Sequence, residues 1–159
     1  KFALSKWNNN LKNKIMATVK LKSYKQIIDE IPEVRDFTNV YFYVNRYNID
    51  QKYIQYLDEL STLKDEIISS WLNITTRTYR NYKTKDVSLK DNTKEHIVLL
   101  ISLYKHGLEV FNTKDDFEKW LTTPNVLLDK KSPADFLDTV SGLKFIDNRL
   151  TAIEYGENV

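Results

Sequence analysis

The chain has 159 residues, 42% of them apolar and 29% charged, with a net charge of +2. That is enough apolar material for one domain or two small ones, and the balance excludes a disordered chain. It has no cysteine and no apolar run near the roughly 20 residues that span a bilayer, so disulfides, thiolate metal sites and a membrane-spanning helix are not expected.

Only Gly107, Gly142 and Gly156 are glycine. A sandwich or barrel needs more turn glycine than that, so an all-α fold is expected. The charge is unevenly placed. Residues 1–90 hold 16 Lys/Arg against 10 Asp/Glu, or +6, and residues 91–159 hold 8 against 12, or −4. Two faces with two partners would produce this split, and so would chance.

Residues 1–26 lack the apolar block of a signal peptide, and the only methionine is Met16. Residues 1–15 are either native or a tag or loose leader. Ser23-Tyr24-Lys25-Gln26 has capping-box spacing and predicts a short helix ending near Pro32. Val40–Val44 (VYFYV) is β-branched and aromatic throughout, and fits a short strand or a buried helix segment equally. Asp50 is placed to cap a helix carrying Tyr53, Ile54 and Leu57. A helix is expected from Ser61 to Leu72, with Leu63, Ile67, Ile68, Trp71 and Leu72 as its apolar stripe. Another runs from about Thr76 to Lys83.

After the polar link TKDVSLKD, Asn92 is read as the cap of a long helix. Its apolar positions Ile97, Leu100, Ile101, Tyr104, Leu108 and Phe111 follow one helical face. Gly107 inside it costs about 1 kcal/mol against alanine and predicts a close neighbour. Thr113 caps a short helix bearing Phe117, Trp120 and Leu121, ended by Thr122-Thr123-Pro124-Asn125. Ser132-Pro133 starts a short helix with Phe136 and Leu137. Ser141 is read as the start of the last helix, carrying Leu143, Ile146, Leu150 and Ile153, with Gly156 as its stop.

Asn73–Lys83 (NITTRTYRNYK) has the pattern of a helix-turn-helix. Ser69 is small enough for a close crossing, Asn73 tolerates positive φ at the turn, and Ile68, Leu72, Ile74, Tyr79 and Tyr82 supply a seam. Thr75 or Thr76 caps the second helix. Thr76, Arg77, Thr78, Arg80, Asn81, Lys83 and Lys85 then lie outside the seam, where they would contact DNA phosphates and base edges. From Asn73 to Lys85 the charge is +4 with no acid in the segment. A hairpin used only for packing has the same pattern.

No catalytic set is apparent. His96 and His106 are ten residues apart on one helix, about 15 Å of rise, and cannot share a ligand. No nucleophile has a matching base, and no phosphate loop is present. Asp115-Asp116 suits a helix N-terminus better than a metal. No enzyme activity, metal or cofactor is expected, and a small hydrolase is the weakest reading.

Several short motifs stand in a specific order and spacing. They are Leu72–Thr78; Leu103-Tyr104-Lys105-His106-Gly107-Leu108-Glu109-Val110-Phe111; Phe117-Glu118-Lys119-Trp120-Leu121 with Pro124-Asn125 and Leu128; Pro133, Phe136-Leu137, Thr139 and Gly142; and Ile153-Glu154-Tyr155-Gly156. Over about residues 61–159 the chain resembles the Xre/MbcA/ParS antitoxins of bacterial type II toxin–antitoxin modules. The resemblance does not extend to residues 1–60. The resemblance implies a small, helical, cytoplasmic and usually dimeric protein. A helix-turn-helix would bind operator DNA of its own operon, and a C-terminal domain would bind and block a toxin, often a NAD-consuming RES-domain enzyme.

The division expected is an N-terminal helical segment over 1–60, a helix-turn-helix over 61–90 and a toxin-binding domain over 91–159. The acidic back half suits a cationic NAD cleft. The blocking surface is assigned to Lys144, Asp147, Asn148 and Arg149 on the polar side of the last helix, with Glu154, Tyr155 and Glu157 at its end. Trp120 is read as a core residue, with an interface as the other account. The alternative function is a helix-turn-helix regulator or protein adaptor with no toxin.

Overall fold

The computed structural model describes residues 29–85 and 87–157, Phe37 by its backbone alone. The helix expected from Ser23 and the status of residues 1–15 lie outside the described residues. Lys1–Glu30 and Ile31–Val159 are two compact units, and the second is the one described here. It consists of α1 (Phe37–Arg46), α2 (Gln51–Leu60), α3 (Asp65–Trp71), α4 (Thr76–Thr84), α5 (Asp91–Phe111), α6 (Lys114–Thr122), 3-10 turns at Val126–Leu128 and Pro133–Phe136, and α7 (Val140–Glu154). Among the described residues there is no strand, and the fold is all-α.

Val40–Val44 lies inside α1. Asp36 caps this helix, its carboxylate accepting the Asn39 N–H at 3.0 Å. Val40 and Tyr43 are buried while Tyr41 and Phe42 are exposed, an i, i+3 pattern rather than strand alternation. Asp50, Thr75 and Thr113 each cap the helix that follows through a side-chain oxygen. Gly156, at φ +78°, ends α7 as expected.

Three helix starts differ from the sequence reading. α3 begins at Asp65 because Ser61 closes α2, its N–H donating to the Leu57 carbonyl at 3.1 Å. α5 begins at Asp91, one residue before Asn92, and its flanking Lys90 makes no side-chain cap. α7 is capped by Thr139, whose hydroxyl accepts the Gly142 N–H at 3.1 Å, and not by Ser141.

Helix α5 is the central element and packs against α1, α2, α6 and α7. The single apolar face read from its sequence is too narrow an account. Ile97 to Ile101 are all buried, as are Leu103 and Tyr104, because neighbours cover the helix from several sides. Fully burying each such side chain contributes about 1.5–3 kcal/mol. Toward its C-terminal end α5 is covered less, and Leu108 and Phe111 are half-buried. Gly107 has the close neighbour expected of it: a Cβ there would stand 2.3 Å from the Phe117 ring of α6.

Glu118 joins α6 to the end of α2. It is a buried carboxylate that accepts from the Ser61 hydroxyl and the Thr62 N–H, each at 2.8 Å, from the Thr62 hydroxyl, and from Tyr104 Oη at 3.2 Å. Four donors replace the water that such a charge loses on burial.

Candidate partner-binding surfaces

Helices α3 and α4 are joined by a tight turn. Asn73 takes φ +53° at the turn, and the hydroxyls of Ser69 and Thr76 lie 3.2 Å apart where the helices approach. Ile68, Leu72, Tyr79 and Tyr82 are buried, and Ile74 is half-buried. The basic side is less free than the sequence suggests. Arg80 donates through Nε to Asp65 at 2.7 Å and through Nη2 to Glu66 at 2.8 Å. Lys83 Nζ reaches Asp65 at 2.6 Å and Asp58 at 2.9 Å.

These contacts act on both partners. Hydrogen bonds from Lys83 and then Arg80 hold the Asp65 carboxyl below its usual range. Burial pulls Lys83 down, but the bonds to Asp65 and Asp58 outweigh it and the ammonium is raised overall. The +4 of residues 73–85 is thus met by three carboxylates from α2 and α3. Thr76 is turned to Ser69, and the Thr78 hydroxyl lies 2.9 Å from that of Thr75. Arg77 and Lys85 are exposed and Asn81 is half-buried.

The residues assigned to α7 separate into three environments. Lys144, Asn148, Glu154, Tyr155 and Glu157 are exposed. Arg149 is half-buried, its guanidinium 5.1 Å from the Phe145 ring centroid, and Phe145 in turn lies 5.4 Å from the Phe136 ring. Asp147 is not on the polar side at all. It is buried against α5, where its carboxylate lies 2.7 Å from His106 Nδ1. The helical position next to Ile146 turns it to the core flank, and the imidazole satisfies it there.

The bond to Asp147 raises His106, although burial opposes it, and Glu154 Oε2 stands 3.7 Å from Nε2. This pair borders a polar cavity of about 260 Å³, also lined by Arg35, Ser102 and Glu109. His96 behaves in the opposite way. Burial lowers it, and its Nε2 pairs with the Leu137 carbonyl at 2.7 Å. Both histidines are helix-packing residues.

Between α6 and α7 the chain makes a tightly bonded loop around Asn125. The Asn125 N–H donates to the Lys131 carbonyl at 2.9 Å, and its side-chain oxygen accepts the Leu127 N–H at 2.9 Å. Its own carbonyl accepts the N–H groups of Leu128 and Lys130, both at 3.0 Å. Asp129 and Lys130 are both left-handed, at φ +54° and +63°. Non-glycine residues in that region cost of order 1–3 kcal/mol each and persist only where surrounding bonds impose them. The loop buries Leu128 and leaves Val126 80% and Leu127 62% exposed.

Just before the loop, Trp120 is half-buried rather than a core residue, stacked on Phe117 and facing Phe111 at 5.5 Å. With Val110 and Thr123 it lines a shallow groove. The sequence reading passed over Val126 and Leu127, although two aliphatics between Pro124-Asn125 and Asp129-Lys130 are a visible anomaly in a turn-forming stretch. It had no local signal for Asp58, Asp65 or Glu66 as partners of α4.

Residues 106–156, about a third of the chain, match the family described as the antitoxin Xre/MbcA/ParS C-terminal toxin-binding domain. Over these residues the chain is similar to a domain described as the part of such antitoxins that binds the toxin. The match takes in the end of α5, α6, the Asn125 loop and α7. No curated protein matches the chain. Among the described residues, no helix is long and apolar enough to cross a membrane, and no group of three metal-ligating side chains converges.

Proposed function

We propose that this antitoxin neutralises its toxin by covering the toxin's active site, and that the toxin is a NAD-consuming enzyme of the RES-domain type. The observation that carries the first part is the match of residues 106–156 to a toxin-binding domain whose last helix leaves a polar, exposed end. Lys144, Asn148, Glu154, Tyr155 and Glu157 are exposed there, and Arg149 joins them over Phe145. Asp147 contributes differently, by fixing α7 on α5 through His106. The RES assignment is supported by charge: residues 91–159 carry −4, which suits a cleft that is cationic because it binds a dinucleotide.

Co-expression with the protein encoded by the adjacent reading frame tests this. Growth is expected to be rescued and cellular NAD preserved, and the charge reversal Glu154→Lys with Glu157→Lys is expected to weaken both. Toxicity that continues in the presence of the unaltered chain would sink the reading.

We further propose that α3–α4 binds operator DNA, in the cytoplasm and as a homodimer. The turn at Asn73 and the close approach at Ser69 support the helix-turn-helix, and Tyr41 and Phe42 offer an exposed aromatic surface to a second copy. With Arg80 and Lys83 held by carboxylates, phosphate contact falls first to Arg77 and Lys85. Removing Arg77 is expected to weaken binding to the upstream DNA and to lower the slope of log affinity against log salt by about 1. An Arg77→Ala, Arg80→Ala double variant that binds as before would show that α4 is not the reading helix.

A further inference from the structure

We infer that Val126 and Leu127 form the apolar anchor by which this antitoxin docks on its toxin, the toxin supplying an apolar socket. The inference rests on the antitoxin reading above and adds to it the place of contact. Among the described residues of the matched domain, only Val126, Leu127 and Tyr155 are large hydrophobic side chains left exposed. Val126 and Leu127 are consecutive, and they sit at the tip of a loop that the chain holds in a strained shape.

That strain is the second observation. Asp129 and Lys130 are both left-handed without being glycine, and the bonds converging on Asn125 keep them so. The loop buries Leu128 while turning its two preceding neighbours outward. A flexible turn could fold those aliphatics away from water, but this one cannot without breaking the Asn125 bonds. A preformed apolar projection loses little freedom when a partner closes over it.

The third observation is position. The groove beside Trp120 ends at Thr123, three residues before Val126, a span of at most about 11 Å of chain. One partner surface can therefore cover the projection and the half-buried tryptophan together. Lys119, Lys130 and Lys131 stand around it with Asp116 and Asp129, the mixed polar rim of a protein interface. A nucleic-acid occupant does not fit, since residues 106–156 hold six Lys/Arg against nine Asp/Glu. The family match identifies the remaining occupant as a toxin.

The test uses the full chain and the protein encoded by the adjacent reading frame, with affinity measured by calorimetry. The unaltered chain is expected to bind it. Val126→Asp with Leu127→Asp is expected to lose about 100-fold in affinity, as for hot-spot residues, and Val126→Ala with Leu127→Ala about 10-fold. Both variants should keep the circular dichroism and melting temperature of the unaltered chain, since neither side chain is in the core. If both variants bind as tightly as the unaltered chain, the anchor is overturned and the antitoxin reading stands. If the unaltered chain itself does not bind, both fall. If the variants keep the toxin but lose self-association by light scattering, the surface joins two copies instead, and the inference is again overturned.

Discussion

The two ends of the described unit treat their side chains in opposite ways. On the α3–α4 pair, the cations that would reach a partner are bonded inward, Arg80 to Asp65 and Glu66, and Lys83 to Asp58 and Asp65. In the matched C-terminal domain, a charge is buried, Asp147, and aliphatics are exposed, Val126 and Leu127. Surface type therefore does not follow from residue type. A basic helix can be electrostatically quiet and an acidic domain can present an apolar point, because the neighbours decide which atoms meet the partner.

The comparison can be broken or sharpened by substitution. The largest effect is expected in the C-terminal domain. A Cβ at Gly142 would lie 1.8 Å from the Phe136 carbonyl oxygen, backbone that cannot swing away. Gly142→Ala is expected to cost about 3 kcal/mol, read by denaturant unfolding, and to release α7 together with toxin binding. An unchanged midpoint would mean that the Phe136 carbonyl does not pass that close to residue 142.

Next is the clamp that holds the two ends to each other. Glu118→Gln keeps the volume but exchanges one acceptor oxygen for a donor facing the Ser61 and Thr62 donors. A loss of about 2 kcal/mol is expected, and DNA and toxin binding should decline together if Glu118 links the regions.

A smaller effect is expected on the α3–α4 side, with a gain in one property. Asp65→Asn removes the carboxylate shared by Arg80 and Lys83. Stability should fall by about 1 kcal/mol, as for a partly exposed pair, while affinity for upstream DNA rises because Arg80 and Lys83 each lose one of two carboxylate partners and keep only Glu66 and Asp58. If affinity does not rise, the internal carboxylates are not what restrains α4.

The smallest effect is a pair of opposed pH dependences. His106 is raised in the folded protein, so its contribution is full below its unfolded value near 6.5 and is lost as pH climbs through the folded one. His96 is lowered, so its contribution is present above that unfolded value and is lost as pH falls through the folded one. His106→Gln should leave a stability that rises with pH from 5 to 8, and His96→Gln one that falls over the same range. Identical slopes in the two variants would overturn both assignments.

Much of the helical layout was legible because it is local. Capping side chains reach three residues, so Asp50 and Thr113 could be read directly, Thr75 as one of two candidates, and so could the turn at Asn73. The caps misread at Ser61 and Ser141 are places where a polar residue lost to a tertiary demand or a better neighbour, whereas nothing in the structure explains the start of α5 ahead of Asn92. Glu118 claims the Ser61 hydroxyl, and the close passage of the Phe136 carbonyl at Gly142 fits the helix start at Thr139.

The sequence by itself determined an all-α chain, the order of its motifs and the antitoxin resemblance, since helix periodicity, capping and motif spacing are all set within a few residues. Tertiary structure alone decided which charges remain free and which apolar side chains remain wet. Asp65 meets Lys83 across 18 residues and His106 meets Asp147 across 41. Burial and ion pairing depend on distance in space, and a linear pattern carries no information about separations of that length.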